Sequence, residues 1–143
     1  MHIVWQVDAL NTTQRIWVNG QEESLTSSNN PPNYAYSMNQ SGKVVGLAQA
    51  AWGGSHTNGV YFAEIHHSDG YKYDPSYYGY TEPQTGIWRP KKVTGILYGT
   101  NGFYLDFSDN STAAALGKDR SGNGNDWTPN GMSLADNSAN DSS

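Results

Sequence analysis

The first residues, HIVWQVD, alternate from one side of the chain to the other: Ile3, Trp5 and Val7 point one way, His2, Val4, Gln6 and Asp8 the other. A period of two is the mark of a strand with one buried face. ALNTT then reads as a turn, and QRIWVNG as a second strand with Ile16 and Val18 opposing Trp17. The pair Asn19-Gly20 closes that run with the strongest short-range hairpin signal, because both residues tolerate positive φ. Nowhere does an apolar period of 3.6 persist, so helical packing is ruled out as the organising pattern. The fold class this predicts is all-β.

Composition supports the same class. Of 143 residues, 36% are hydrophobic, 13% aromatic and only 15% charged. A disordered chain would be charge-rich and aromatic-poor. Abundant Gly, Asn, Ser and Tyr instead suit pleated faces joined by long irregular loops. Ser24 to Gly42 is such a loop, with Pro31-Pro32 blocking helix and central strand alike. KVVGLAQ is a short strand candidate, followed by the loop AAWGGSHTNG. VYFAEIHH should place Val60, Phe62, Glu64 and His66 on one face and Tyr61, Ala63, Ile65 and His67 on the other. From Ser68 to Lys92 turn residues alternate with tyrosines, with one short helical turn expected where Asp74 precedes Pro75. GFYLDF is a further strand, NSTAAALG offers one helical turn at most, and the tail SLADNSANDSS is expected to fray.

Charge and missing residue types narrow the function. A net charge of −5 argues against nucleic acid and anionic membranes. Arg89, Lys91 and Lys92 form too small a basic cluster to change that. Without cysteine there is no disulfide framework, thiolate nucleophile or cysteine zinc site. No apolar run approaches the roughly 18 residues of a membrane helix, and MHIVWQVD lacks signal-peptide architecture. A soluble chain is expected.

One stretch comes close to a chemical motif. In KDRSGNGNDWTPNG, Asp119, Ser121, Asn123 and Gly124 match the first half of a calcium loop. Position twelve is Asn130 rather than a bidentate glutamate, and no helices flank the loop, which excludes an EF-hand. A string of turns and a weaker calcium site both remain open, with the turns favoured.

The aromatic residues suggest a different chemistry. Trp52, the run Tyr71, Tyr73, Tyr77, Tyr78 and Tyr80, and Trp88 fall in expected loops beside Asn, Asp and His56. Flat rings bordered by amides and carboxylates match a sugar, which has an apolar face and a rim of hydroxyls. Trp52, His56, Tyr71, Tyr73 and Trp88 are the candidate carbohydrate contacts, Trp52 foremost. Most of these rings are nevertheless expected to fasten loops to the sheets, with their hydroxyls wet. His66 and His67 are adjacent on a strand and face opposite sides, so they should not chelate one metal together. Asp8 and Asp106 read as turn and strand-surface residues, and GGSHTNG lacks the spacing of a nucleophile elbow.

RIWVNGQEES, VVGLA and NGVYFAEIHHSDGYKYDP, in that order, resemble the later strands of concanavalin A-like, or laminin-G-like, jelly-roll domains. Phe62, Glu64 and Ile65 match that family's F-x-G-x-[IL]-x-E-[IV] strand, with Ala63 in place of a glycine and Ser68-Asp69-Gly70 as the acidic turn. GFYLDFSDNSTAAALGKDRSGNGNDW resembles the opening strand and SGNGN loop of such a domain. Residues 1–107 would then hold closing strands, and 108–143 the start of a following unit. The resemblance implies a jelly-roll sandwich that is partial, permuted or completed by a neighbouring copy. It also implies a virion or tail-fibre setting, as in marine phages, and hence an extracellular location. The partners would be other virion subunits, a second copy of the chain and host-surface glycans.

The same resemblance would place Ca2+ at the rim loop, on Asp119 with Asn123, Asn125 or Asp126. Laminarinase-like hydrolases of the superfamily carry E-x-D-x-x-E, with paired carboxyls about 5–5.5 Å apart for retention. Here the stretch is Glu64-Ile65-His66-His67-Ser68-Asp69, which leaves one carboxylate on the strand face. The expected role is therefore a non-enzymatic, lectin-like structural or adhesion module. A glycan-active enzyme and an architectural capsid or tail protein without ligand are the alternatives.

Overall fold

The computed structural model describes residues 1–25 and 62–129. Their strands are β1 (Ile3–Asp8), β2 (Thr13–Val18), β3 (Gln21–Glu23), β4 (Ile65–His67), β5 (Gly79–Thr81), β6 (Trp88–Pro90) and β7 (Phe103–Leu105). Among the described residues, helix is limited to a 3₁₀ turn at Pro75–Tyr77 and a single α-helical turn, α1, at Ala113–Leu116. The regular structure is thus nearly all strand, as the alternation predicts. No described helix is long and apolar enough to cross a membrane.

The chain divides into two compact, interleaved units. Residues 1–25 and 71–97 are the described part of the first, residues 62–70 and 98–129 that of the second.

In the first unit β1, β2 and β3 form an antiparallel sheet in that order, with Val4 opposite Trp17 and Val18 opposite Gln21. Asn19 and Gly20 are the two residues of the β2–β3 turn, at φ 48° and 79°, the signs a type I′ turn requires. Asn19 also ties the turn to β1: its N–H donates to His2 O, and its Oδ1 accepts from His2 N, both at 2.8 Å. The buried face is not that of Ile3, Trp5 and Val7. Ile3 and Trp5 are 55% and 52% exposed, whereas Val4 and Trp17 are buried.

The reason lies in what covers the sheet. Gln6 Nε2 donates to Tyr73 O at 2.6 Å, and the His2 ring sits 5.5 Å from Trp88 and 6.1 Å from Tyr78. Residues 71–97 therefore pack on the side of His2, Val4 and Gln6, where Trp17 supplies the largest apolar surface. Arg15 lies 5.3 Å over the Trp17 ring while pairing with Glu22 at 2.8 Å.

β5 and β6 form a two-stranded ribbon, Gly79 opposite Pro90 and Thr81 opposite Trp88. Asp74 caps the preceding 3₁₀ turn by accepting from Ser76 N at 2.9 Å, with Pro75 at its first position. The Trp88 ring lies against two glycines. A Cβ on Gly20 would fall 2.3 Å from it, and one on Gly79 would fall 2.6 Å from it and 2.5 Å from Arg89 O.

In the second unit β4 pairs with β7, His66 opposite Tyr104 and His67 opposite Phe103. Each strand is shorter than its sequence pattern suggests, and Phe107 has turned to φ 53°. Phe103, Leu105 and Leu116 form the core, with the Trp127 ring 4.9 Å from Phe103. Thr112 caps α1 by accepting from Ala115 N at 3.1 Å.

Two glycine variants separate backbone strain from steric exclusion. Gly70 has φ 80° and open space around its Cβ position, so Gly70→Ala should cost about 1 kcal/mol. Gly20→Ala meets the same backbone penalty and the Trp88 ring, and should cost about 2–4 kcal/mol. Urea unfolding of the two variants, which should show a loss at least twice as large for Gly20→Ala, checks this.

Candidate functional site

The stretch from Lys118 to Asp126 is a docked string of turns. Asp119 is 6% exposed, and its carboxylate accepts four hydrogen bonds. Oδ1 takes Tyr104 N at 2.9 Å and Ser121 N at 2.8 Å; Oδ2 takes Ser121 Oγ at 2.8 Å and Asn125 N at 2.9 Å. That fills the roughly four lone-pair positions of a carboxylate.

The neighbouring amides complete the docking. Asn123 Nδ2 donates to Gly99 O and Gly102 O at 2.6 and 2.8 Å, and Asn125 Nδ2 to Thr100 O and Gly102 O at 3.0 and 2.9 Å. Asp126 accepts from Asp119 N at 3.0 Å and from Lys118 Nζ at 2.6 Å. Gly122 and Gly124, at φ 94° and 75°, supply the reversals. Asp119, Asn123, Asn125 and Asp126 are thus brought together and engaged in hydrogen bonds within the chain. Among the described residues no three His, Asp or Glu side chains gather as a metal-holding group.

Burial pulls the Asp119 carboxyl upward, but the donors from Tyr104, Ser121 and Asn125 outweigh it and hold the group below the ordinary carboxylate range.

The carbohydrate candidates are distributed unevenly. Trp52 and His56 lie outside the described residues. Trp88 is half-buried and spent on packing against Gly20, Gly79 and His2. Tyr71 and Tyr73 do come together, their rings 6.3 Å apart and 23° from parallel. Tyr77 joins them, 4.9 Å from Tyr73 at an interplanar angle of 59°.

Tyr73 is the fixed member of this row. Its hydroxyl accepts from Leu97 N at 2.7 Å and its carbonyl from Gln6 Nε2 at 2.6 Å. Tyr71 and Tyr77 flank it and are 46% and 38% exposed. The sequence signal for Tyr77 is Asp74-Pro75: the cap starts a turn in which Tyr77 N donates to Asp74 O, folding the fourth residue back onto Tyr73.

A second cluster, in the other unit, centres on His66. Its Nδ1 is 2.8 Å from Tyr98 OH, its ring stacks on Tyr104 at 4.1 Å and 9°, and its Nε2 lies 3.7 Å from Glu64 Oε2. Tyr104 OH donates to the same Glu64 oxygen at 2.5 Å. Burial, and then the Glu64 carboxylate, push the Tyr104 phenol well above its ordinary range. Glu64 reaches this position with φ 54°, a left-handed conformation uncommon for glutamate. The face shared by Glu64 and His66 is legible in the strand alternation. Tyr98 and Tyr104 enter through the β4–β7 register and the loop before β7, which no local pattern specifies.

His67 points the other way, its ring 5.3 Å from Phe103. Burial lowers its pKa, with Asp69 partly opposing.

Comparison of the chain with protein-family models, with curated proteins and with solved structures returns no match.

Asp119→Ala should cost about 2–3 kcal/mol, because it strands the part-buried N–H groups of Tyr104 and Asn125, while Asp119→Asn should cost less. The contribution of Asp119 is full above the unfolded value of about 4 and is lost as pH falls through its lower folded value. Asp119→Asn should therefore flatten the acid limb of a stability–pH profile. With the carboxylate saturated, millimolar calcium should leave the wild-type Tm unmoved.

His67 has the corresponding signature nearer neutrality. Its folded pKa is depressed, so stability is complete above about pH 6.5 and declines as pH falls from there through the folded value. Replacing it with leucine should make that decline shallower, the part that remains belonging to His2, whose pKa burial also lowers, as read by thermal unfolding between pH 7.5 and 5.

Proposed function

We propose that the chain is a non-enzymatic, β-rich structural or adhesion module that presents an aromatic row to carbohydrate. The observation that carries this reading is the row itself: Tyr71 and Tyr77, both exposed, flank a Tyr73 anchored at its hydroxyl and its carbonyl. Exposed rings packed against an anchored one have less freedom to lose on binding, which favours stacking on the apolar face of a sugar. The finer architecture, a concanavalin A-like jelly roll, and the virion setting belong to the same reading and rest on the sequence resemblance.

A glycan-active enzyme is the second reading, favoured by the Glu64–His66–Tyr104 cluster. Retaining and inverting glycosidases generally work with a pair of carboxyl groups; here Glu64 accepts from Tyr104 and lies 3.7 Å from His66 Nε2, and the Asp106 charge also acts on Tyr104. Reducing-end release from a polysaccharide would establish catalysis; none is expected.

On a glycan array the wild-type chain should retain a subset of neutral glycans. Tyr71→Ala and Tyr77→Ala should each weaken that retention about 3- to 10-fold, the range expected for one lost aromatic contact of about 0.5–1.5 kcal/mol. Retention unchanged in both variants would remove the row from the binding surface.

A further inference from the structure

We infer that Asn19 is a site of covalent self-modification: Gly20 N closes on the Asn19 side-chain carbonyl, and the residue converts to aspartate or isoaspartate. This goes beyond the carbohydrate reading and does not depend on it.

The step needs only the chain and water. A bond forms between Gly20 N and Asn19 Cγ, the Cγ–Nδ2 bond breaks, and the amide nitrogen leaves as ammonia with the proton from Gly20 N. Water then opens the cyclic imide at either carbonyl. One opening gives aspartate; the other gives isoaspartate, in which the main chain runs through the former side chain. Glycine in second place favours closure, since it carries no Cβ to shield the nitrogen.

Five Asn-Gly pairs occur in the sequence, and three of them, at Asn19, Asn101 and Asn123, lie among the described residues. Their side-chain amides are held differently. Asn101 Nδ2 donates to Asp69 Oδ2 at 2.8 Å, with Asn101 N on the same oxygen at 3.2 Å. Asn123 Nδ2 donates to two carbonyls, Gly99 O and Gly102 O. Closure at either pair must first break these bonds. Asn19 is exposed, and among the described residues neither its Nδ2 nor Gly20 N donates a hydrogen bond. Its Oδ1 accepts from His2 N at 2.8 Å. That donor polarises the carbonyl under attack and faces the oxygen on which negative charge develops as Gly20 N adds.

The product alters the fold locally. Isoaspartate lengthens the main chain inside a two-residue turn that holds φ 48° and 79°, where Gly20 lies against the Trp88 ring. Either product also places a new carboxylate beside His2.

The test is to age the full chain in neutral buffer, folded and in urea, and to follow each asparagine by peptide mapping with a mass-spectrometric fragmentation that distinguishes isoaspartate. In the folded chain Asn19 should convert about tenfold faster or more than Asn101 and Asn123, which are clamped by two hydrogen bonds each. In urea the three rates should converge. Asp69→Ala, which releases the Asn101 amide, should raise the Asn101 rate and leave that of Asn19 unchanged. An Asn19 rate no greater than the other two, the same ratio of rates in urea, or an Asn101 rate indifferent to Asp69→Ala in a chain with native near-ultraviolet circular dichroism would overturn the inference. The wild-type comparison of folded and unfolded chain decides without any variant.

Discussion

Strands of three residues cannot satisfy a backbone. A ladder so short leaves most N–H and C=O groups without a strand partner, yet those that are buried must still be hydrogen-bonded. This chain meets the demand with short polar side chains. Asp119 serves the backbone of Tyr104, Ser121 and Asn125; Asn123 and Asn125 serve the carbonyls of Gly99, Thr100 and Gly102; Asp69 accepts from Asn101 N; Asp8 accepts from Asn11 N. The low hydrophobic content follows from this arrangement. Among the described residues, cohesion comes from side chains used as backbone partners around small apolar centres, rather than from broad sheet faces.

The tyrosine row depends on the same economy. Tyr73 is held by a backbone N–H on its hydroxyl and a glutamine on its carbonyl, and the turn that returns Tyr77 to it starts at a capping aspartate. Hydrogen bonds thus hold Tyr73 and the turn that carries Tyr77, while the rings of Tyr71 and Tyr77 stay exposed. In the second unit, the His66 cluster forms where β4 and β7 put aromatic and polar residues opposite one another.

Local signals in the sequence carried much of this. The Asn19-Gly20 turn, the Asp74-Pro75 cap, the single turn at Ala113–Leu116 and the strand pattern of β1 and β2 all follow from residue-level chemistry. The choice of buried face did not. Ile3, Trp5 and Val7 are the more apolar row, but residues 71–97 pack on the other side, a decision made by segments distant in the chain. Tyr71 and Tyr73 were legible as neighbours because they are two residues apart, whereas Trp88 looked like a loop ligand and became a packing residue. Its fate was set by two glycines, Gly20 and Gly79, that only the tertiary fold brings beneath its ring. The meeting of His66 with Tyr98 and Tyr104 required the β4–β7 register, to which period-two patterning is blind.

The interleaving of the two units has a consequence for the order of assembly. The polypeptide leaves one unit for the other between residues 70 and 71 and returns between 97 and 98. During synthesis β4 emerges well before β7, so His66 and Glu64 must wait, without their tyrosines, while the intervening segment joins β1 and β2. No single scission releases either half as one continuous piece, and a gene fragment stopped at residue 97 would carry the orphaned strand with it.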